Sequence, residues 1–535
     1  MDDTIIAGVP AAQVDLKSLH GKFPAAREHV EILVVGAGPA GVAAAIEAAA
    51  HGAQVKLVDE NPLSGELIGM DVPLFYGGRA GAAVHNTERM LEQVFSSNPR
   101  LEEAFEAGVD VALGVQAWGA FAPGPGAQTL PGPVVGLANE TDTWLCGFDR
   151  LILAAGARDL VLFFEGVDQP GIMGAQALHA LLARYDAFEG GRILILGSGS
   201  LAVQTAELAL ARGLTVCALV EVREAPETDC AGLAARGVEI LTGHVIRAAE
   251  RGPFGTTGAV LRGPDGAERR IACDTICLAV DRIPNVELLD VVGATLEFDG
   301  ARGGYVPQLD GAATSRPEVF VAGDCAGLSD ASPGEIAPAE AQGRLAARAA
   351  LRSLGRTVEA TEPAAVRPTR DRHPYRLDWM RALLAVGSPE VLACQCEEVS
   401  RGDLLGVRPP RYLGPAPAAV EKRDLGSLLR DGPVNQDQIK RLTRACMGPC
   451  QARRCREQVA MMLAIGGDRD LAGVPLAGYR APVRPLTLGL LGRIEEIPAM
   501  REHWDVWFGI PTQWVPYADI GTPREAEYLG GNMHL

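Results

Sequence analysis

EILVVGAGPAGVAAAIEAAAHGAQVKLVDE, residues Glu31 to Glu60, reads as strand, tight turn, helix and second strand. The apolar run Ile32–Val35 enters the turn Gly36-Ala37-Gly38-Pro39-Ala40-Gly41. An alanine-rich helix follows, and a second apolar run, Val55–Val58, closes on Asp59 and Glu60. This order makes a dinucleotide-binding unit. Gly36 permits the sharp turn, Gly38 lets backbone approach a pyrophosphate, and Gly41 lets the helix pack close, so that its first N–H groups point at the phosphates. Asp59, eighteen residues after Gly41 and directly after the strand, is the expected acceptor for ribose hydroxyls, with Glu60 as the fallback.

One glycine turn is weak evidence, because such turns also serve packing alone. Two distant segments strengthen it. Asp149–Arg158 reads DRLILAAGAR, a strand ending in Ala154-Ala155-Gly156, and Thr314–Gly327 reads TSRPEVFVAGDCAG, a strand running into Gly323-Asp324. In this order the three segments resemble the flavoproteins with two dinucleotide-binding domains, within the wider family of pyridine nucleotide-disulphide oxidoreductases. The resemblance implies FAD, held by the first turn, by Gly156 and by Asp324 at the ribityl chain. Ala155 stands where that family usually has Thr.

The composition agrees with a soluble protein of several cores. A chain of 535 residues exceeds one core and suggests about three domains. A formal charge of −18 argues against nucleic acid or an anionic membrane as the main partner. The first thirty residues lack a basic segment followed by an apolar one, and no run of 18 or more apolar residues occurs, so a cytoplasmic protein without a membrane span is expected.

A second unit, Arg192–Glu221, reads RILILGSGSLAVQTAELALARGLTVCALVE, with Gly197, Gly199 and Ala202 in the glycine positions and Glu221 ending its second strand. Glu221 favours a free ribose hydroxyl over a 2′-phosphate; Arg223 weakens that inference slightly. NAD, an adenine nucleotide with no redox role, and an empty fold are all compatible. No C-x-x-C occurs near either unit, and Cys146 and Cys217 are isolated, which disfavours disulphide reduction and suggests buried apolar side chains.

Five of the eleven cysteines gather between Cys394 and Cys455. The spacing is C-x-C, Cys394 and Cys396, and about fifty residues later C-x₄-C, Cys450 and Cys455, with Cys446 between. Four thiolates from two short loops suit a small iron–sulphur cluster or zinc, and this is not the paired C-x₂-C of common structural zinc sites. It resembles the bacterioferritin-associated-ferredoxin type of [2Fe-2S] domain. The flanks, CQCEEV and IKRLTRACMGPCQARRC, and the central GARDLVLFFEGVDQPGIMGAQ, resemble the flavoprotein subunits of octopine and nopaline oxidases, hydrogen cyanide synthase and heteromeric dye-linked proline dehydrogenases.

That resemblance implies cluster ligands at Cys394, Cys396, Cys450 and Cys455. Cys446 stands where the pattern has Gly, and it is the alternative to Cys455 as fourth ligand. It also implies an α/β fold: a flavin domain in two parts, 31–165 and 291–355, a second dinucleotide-binding domain inserted at 166–290, and a helical [2Fe-2S] domain at 388–470. An N-terminal arm (1–30), a linker (356–387) that ends in a short helical pattern over Leu377–Val386, and a C-terminal tail (471–535) complete the chain. Val407–Ser427, rich in Pro and Ala, is expected as a surface loop, and the tail carries Trp504, Trp507 and Trp514 without assignable chemistry.

A flavin and an iron–sulphur centre in one chain imply an electron relay. No acid–base constellation is evident, and His179, on an expected helix Ala175–Arg184, reads as a packed or surface residue. In the resembled family the partner is a D-amino-acid-oxidase-like FAD subunit that oxidises the amine. Some of those complexes hold an FMN at the subunit interface and an adenine nucleotide in the second site. The leading expectation is thus the electron-transferring subunit of a hetero-oligomeric amine or imino-acid dehydrogenase acting on an opine, D-amino acid, proline-like compound or glycine. The alternatives are a stand-alone NADH-dependent FAD/[2Fe-2S] reductase and a non-enzymatic scaffold.

Overall fold

Strand Glu28–Val35 starts ahead of its apolar run and lies at the middle of a seven-stranded sheet. The computed structural model describes residues 25–63, 78–123, 132–329, 335–359, 368, 370–413, 418–433, 435–493 and 522–524; the three tail tryptophans and residues 1–24 fall outside these. The strand pairs in parallel with Val55–Asp59 on one side and Thr143–Leu153 on the other, and Val319–Val321 adds to Thr143–Leu153, also in parallel. Antiparallel strands Val134–Ala138 and Gln116–Phe121 extend one edge. Alternation along the strands fills two cores: Ile32, Val34 and Leu57 face the helices, while Leu33, Val35 and Val58 face the opposite layer.

The alanines of helix Pro39–Ala50 have a packing cause. Helix Ala337–Ser353 lies against it so closely that a Cβ on Gly343 would stand 1.9 Å from the Ala40 carbonyl oxygen. Only small side chains, among them Ala44, Ala48, Ala346 and Ala350, fit between the two axes.

The second unit is a five-stranded parallel sheet in the order Glu239–Leu241, Thr215–Val220, Arg192–Leu196, Thr275–Leu278, Ile172–Gly174. The chain enters it through Ala157–Asp159 and leaves through Arg282–Pro284, and these two crossings pair antiparallel. The expected helix Ala175–Arg184 is α-helical over Ala175–His179 and widens to a π turn over Ala180–Arg184.

The cysteine segment does not pack as a separate body. Its residues Val391, Cys394, Val459 and Met462 share one hydrophobic core with Leu194, Ile276 and Leu278 of the second sheet, bridged by Trp379 and Met380. Those bridging residues lie on helix His373–Val386, so the helical pattern expected over Leu377–Val386 starts one turn earlier, inside the stretch read as linker, with Pro374 in the first helical turn. The segment carries a short hairpin, Leu392–Cys394 with Val399–Ser400, as well as helices. The expected surface loop is likewise partly helical, at Arg411–Leu413 and Ala418–Glu421, and begins at a fully buried Val407. Among the described residues no helix is long and apolar enough to cross a membrane.

Candidate functional site

Three sequence segments that lie far apart meet at one cleft of about 550 Å³, lined by Gly36, Gly38, Asp59, Glu60, Gly156 and Asp324. The two tightly packed glycines of the first turn are required by close approach. Gly36 has φ +106°, and a Cβ there would stand 2.3 Å from the Ala154 carbonyl oxygen; at Gly41 it would stand 1.8 Å from the Gly36 oxygen. Gly38 is different. Nothing lies within 4 Å of its Cβ position, which opens on the cleft. Gly38 is also the N-cap of helix Pro39–Ala50 and supplies no side-chain cap, so the helix brings uncapped amides to the cleft.

Asp59 and Glu60 both line the cleft, and each is already engaged by the protein. Asp59 turns inward: Oδ2 accepts from the Ala37 N–H at 2.6 Å, and Oδ1 from the Asn61 N–H and Nδ2 at 2.8 and 2.7 Å. It therefore braces the glycine turn. Glu60 lines the cleft and pairs with Arg484, 424 residues further on. Asp324 pairs with Arg282 Nη1 at 2.5 Å, and the Gly323 N–H donates to Gln342 Oε1 at 2.9 Å. Gly156, at φ +66°, again has nothing within 4 Å of its Cβ position. A cradle of bare backbone in a cleft of this size fits FAD, which the family implies.

The second turn has the same glycine logic but a different front. A Cβ on Gly197 would stand 2.6 Å from the Ala279 oxygen, as expected of the fold. Glu221 is completely buried, and its carboxylate is already satisfied. Oε2 accepts from Ser198 Oγ at 2.5 Å and Tyr375 Oη at 2.7 Å, and Oε1 from the Arg223 N–H at 2.9 Å. The Tyr375 hydroxyl also accepts from the Ser198 N–H at 3.2 Å. Where Gly38 faces open space, Gly199 faces Glu227, whose Cγ would lie 3.8 Å from an added Cβ. Ala202 is buried beneath the turn. Helix His373–Val386 thus sits on this turn.

At the third place the five clustered thiols converge. Cys394 closes the hairpin strand Leu392–Cys394, and Cys455 immediately precedes helix Arg456–Gly466. Cys455 Sγ lies 3.6 Å from both Cys394 Sγ and Cys446 Sγ, and Cys396 and Cys450 share a thiol–thiol hydrogen bond. Hydrogen bonding between thiols splits them: Cys394 and Cys450 are pulled below the ordinary thiol range, and Cys396 and Cys455 are pushed above it. Among the described residues no group of three or more His, Cys, Asp or Glu side chains is arranged to hold a metal ion. The thiols form one connected group: Cys455 meets Cys394, Cys446 and Cys450, and Cys450 also meets Cys396.

Their loops are strained and tight. Glu398, Arg444, Cys446, Gln451 and Ala452 all have positive φ, between 51° and 71°. An L-residue there costs about 1–2 kcal/mol, and such strain collects at functional sites. Gly448 is a steric necessity, because a Cβ on it would stand 2.3 Å from Cys396 Cβ. Of the singletons, Cys146 is buried, with its thiol pushed up to about 12 by burial, whereas Cys217 is only half-buried. His179 is half-buried beside Thr205, and burial lowers its pKa.

Arg158 joins the flavin cleft to the thiols, and nothing in its local pattern marks it beyond its place after Gly156. It is 5% exposed and reaches Glu287 at 2.7 Å, Glu457 at 2.8 Å and the Arg453 carbonyl at 3.0 Å. Arg453, inside the Cys450–Cys455 loop, itself lines the cleft. Arg484 and Tyr375 were equally invisible in sequence, since each acts on a turn more than a hundred residues away.

Known proteins share these features. The family described as pyridine nucleotide-disulphide oxidoreductase matches residues 30–343. The chain is similar to one subunit of the opine oxidase of Agrobacterium tumefaciens (strain Ach5), 26% identical over 505 residues that cover 87% of this chain and 92% of that one. Hydrogen cyanide synthase subunit HcnB of Pseudomonas aeruginosa is 26% identical over 471 residues, 79% of this chain and 90% of that one. Among solved structures, L-proline dehydrogenase from P. horikoshii superposes with a TM-score of 0.59 at 19% identity, covering 87% of this chain and 80% of that one, a likeness of fold. Family match, sheet order and bare glycine cleft agree: the chain belongs to the pyridine nucleotide-disulphide oxidoreductases, as an FAD-dependent oxidoreductase.

Proposed function

We propose that this chain is the electron-relaying subunit of a hetero-oligomeric amine or imino-acid dehydrogenase, with FAD in the open cleft and a [2Fe-2S] cluster at Cys394, Cys396, Cys450 and Cys455. The observation that carries the reading is the junction: Arg453 belongs both to the cleft wall and to the thiol loop, and Arg158 fixes that loop to the strand end under the cleft. FAD, when bound, takes electrons in pairs and releases them singly, and a [2Fe-2S] centre takes one at a time. Two thiolates on one metal at ~2.3 Å bonds and tetrahedral angles sit about 3.8 Å apart, and the 3.6 Å Cys394–Cys455 separation suits one iron. Cys396 with Cys450 suits the other. Cys446, equally 3.6 Å from Cys455, is the alternative ligand, and the choice of two irons over a single zinc ion rests on the C-x-C and C-x₄-C spacing and its flanks.

The chain's own residues hold the rest. Gly38 leaves room for a pyrophosphate, Asp59 keeps the turn in shape, and Asp59 and Glu60, both on the cleft wall, are the candidate ribose contacts. Asp324 stands at the ribityl position and would exchange its partner Arg282 for the ligand's hydroxyls.

The relatives named as subunits of opine oxidase and hydrogen cyanide synthase support a partner subunit that oxidises a carbon next to nitrogen. An NADH-dependent reductase is the weaker reading. Its ribose acid, Glu221, is saturated by Tyr375, and the Glu227 side chain, paired with Arg223, occupies the front of the phosphate turn. The test is an anaerobic mix of the FAD-loaded chain with NADH, followed by the flavin absorbance. No bleaching is expected until a co-purified partner and an amine are added, whereas rapid bleaching by NADH alone would overturn the relay reading. In parallel, Cys396→Ser should lose the visible absorption of the cluster and keep the flavin bands.

A further inference from the structure

Between the crossing strand Arg282–Pro284, the hairpin Leu296–Asp299 with Gly304–Pro307, and helix Arg456–Gly466 of the cysteine segment, the protein holds a cavity of about 50 Å³. Its walls are mostly apolar, with Leu160, Ile283, Met461, Leu471 and Val474 among them. Arg456, the residue after Cys455, lines it and is 1% exposed. Its guanidinium stacks 3.4 Å above the Tyr479 ring, and its Nε and Nη1 are buried with no hydrogen-bond partner. An arginine carries five N–H donors and cannot shed its charge, so unbonded donors in apolar surroundings are costly unless something accepts from them.

The neighbouring polar groups do not fill that need. Glu457 Oε1 is held by Arg158 at 2.8 Å, and Glu287 Oε1 by the same arginine at 2.7 Å. Arg376, on the same wall, shows what satisfaction looks like: its three nitrogens bond Asp281 and the Gly303 and Arg282 carbonyls. His373 turns Nδ1 to Asp371, and the Tyr305 hydroxyl donates to the Val474 carbonyl.

We propose that Arg456 anchors a binding site for a small aliphatic carboxylate. The guanidinium matches a planar oxyanion, and the apolar walls match a short hydrocarbon body. A water needs ~10–15 Å³ of such volume, so the cavity of about 50 Å³ takes roughly three to five heavy atoms, which spans acetate and propionate. Inorganic phosphate fits less well, because its remaining oxygens would meet Leu471, Val474 and Met461 without donors. The site is outside the flavin cleft and stands on its own geometry, whatever the electron donor.

The test uses the full-length, FAD-loaded chain in thermal unfolding, with propionate titrated at constant ionic strength against chloride, phosphate and 1-propanol. Propionate alone is expected to raise the unfolding temperature, saturating with a millimolar dissociation constant. Arg456→Met should weaken propionate by roughly tenfold or more. Because that variant removes a buried charge and could disturb folding, Ala460→Leu, which fills the cavity and keeps Arg456, should abolish the response as well. No response to propionate in the wild type, or an unchanged dissociation constant in the Ala460→Leu protein, would overturn the site. An equal response to phosphate would overturn the carboxylate class.

Discussion

Replacing Arg158 by methionine keeps much of the length of the side chain and removes the charge that Glu287 and Glu457 share. Both acids lose their 2.7 and 2.8 Å partners, and the Arg453 carbonyl loses a donor at 3.0 Å. Breaking a buried ion pair from one side costs ~3–5 kcal/mol, and a lost hydrogen bond adds ~1 kcal/mol. Glu457 is 21% exposed and recovers part of its hydration, so the lower part of that range applies. About 4 kcal/mol is the working figure, or roughly a thousandfold in an opening equilibrium. A chain with several cores does not unfold in two states, so the assay is native-state hydrogen exchange over residues 450–457, which reads local opening. Adding Glu287→Gln and Glu457→Gln to the Arg158→Met protein should recover much of the loss. An exchange rate raised less than about fivefold over wild type, under ~1 kcal/mol, would refute Arg158 as the tie between cleft and thiol loop.

Gly448→Ala should destabilise the thiol loops by ~1–3 kcal/mol through overpacking on Cys396 and reduce the cluster's visible absorption per chain, checked by spectroscopy of the purified protein. Asp59→Asn should cost ~1–3 kcal/mol by breaking the Ala37 contact, while Glu60→Gln leaves stability unchanged and speeds FAD loss on dialysis; the reverse pattern would single out Asp59 as the ribose acid. Burial and nearby Arg376, opposed by Asp371, lower the His373 pKa from its ordinary 6.5 to about 4. Between those values the unfolded chain binds the extra proton, so this group makes stability fall as pH drops, by up to about 3 kcal/mol. Burial raises Asp159 from 3.8 to about 7, so there the folded chain holds the proton and stability rises as pH drops. Denaturation at several pH values between 4 and 6.5 should show the two slopes opposing, with His373→Gln exposing the second and Asp159→Asn the first.

The two dinucleotide units were legible because each depends on residues close in sequence, and the thiols were legible through two short spacings, C-x-C and C-x₄-C, although the two loops that carry them lie about fifty residues apart. A glycine turn announces itself by spacing, and Gly36, Gly41 and Gly197 stand where bulk is forbidden. That Asp59 also braces the glycine turn was not legible, since it depends on which way a carboxylate turns at a strand end. Nor was the covering of Glu221. Nothing in Arg192–Glu221 encodes a tyrosine 154 residues downstream, and the Pro-rich, charged stretch before it hid a helix start. Arg158 and Arg456 escaped notice because an arginine's meaning lies in its burial and partners, which spacing does not carry.

The second glycine turn grips a helix of its own chain, and that has a thermodynamic consequence. Tyr375, Glu221 and Ser198 form the contact, and the same helix carries Trp379 and Met380 into the core shared with the cysteines. Any nucleotide reaching this turn would compete with the helix, so the two occupants are linked negatively. By reciprocity, whatever factor the docked helix takes from nucleotide affinity, a bound nucleotide takes from helix docking. The glycine turn that in its first copy opens on a cleft is in its second a docking point for a helix of its own chain, and that helix is shared with the core beneath the thiols.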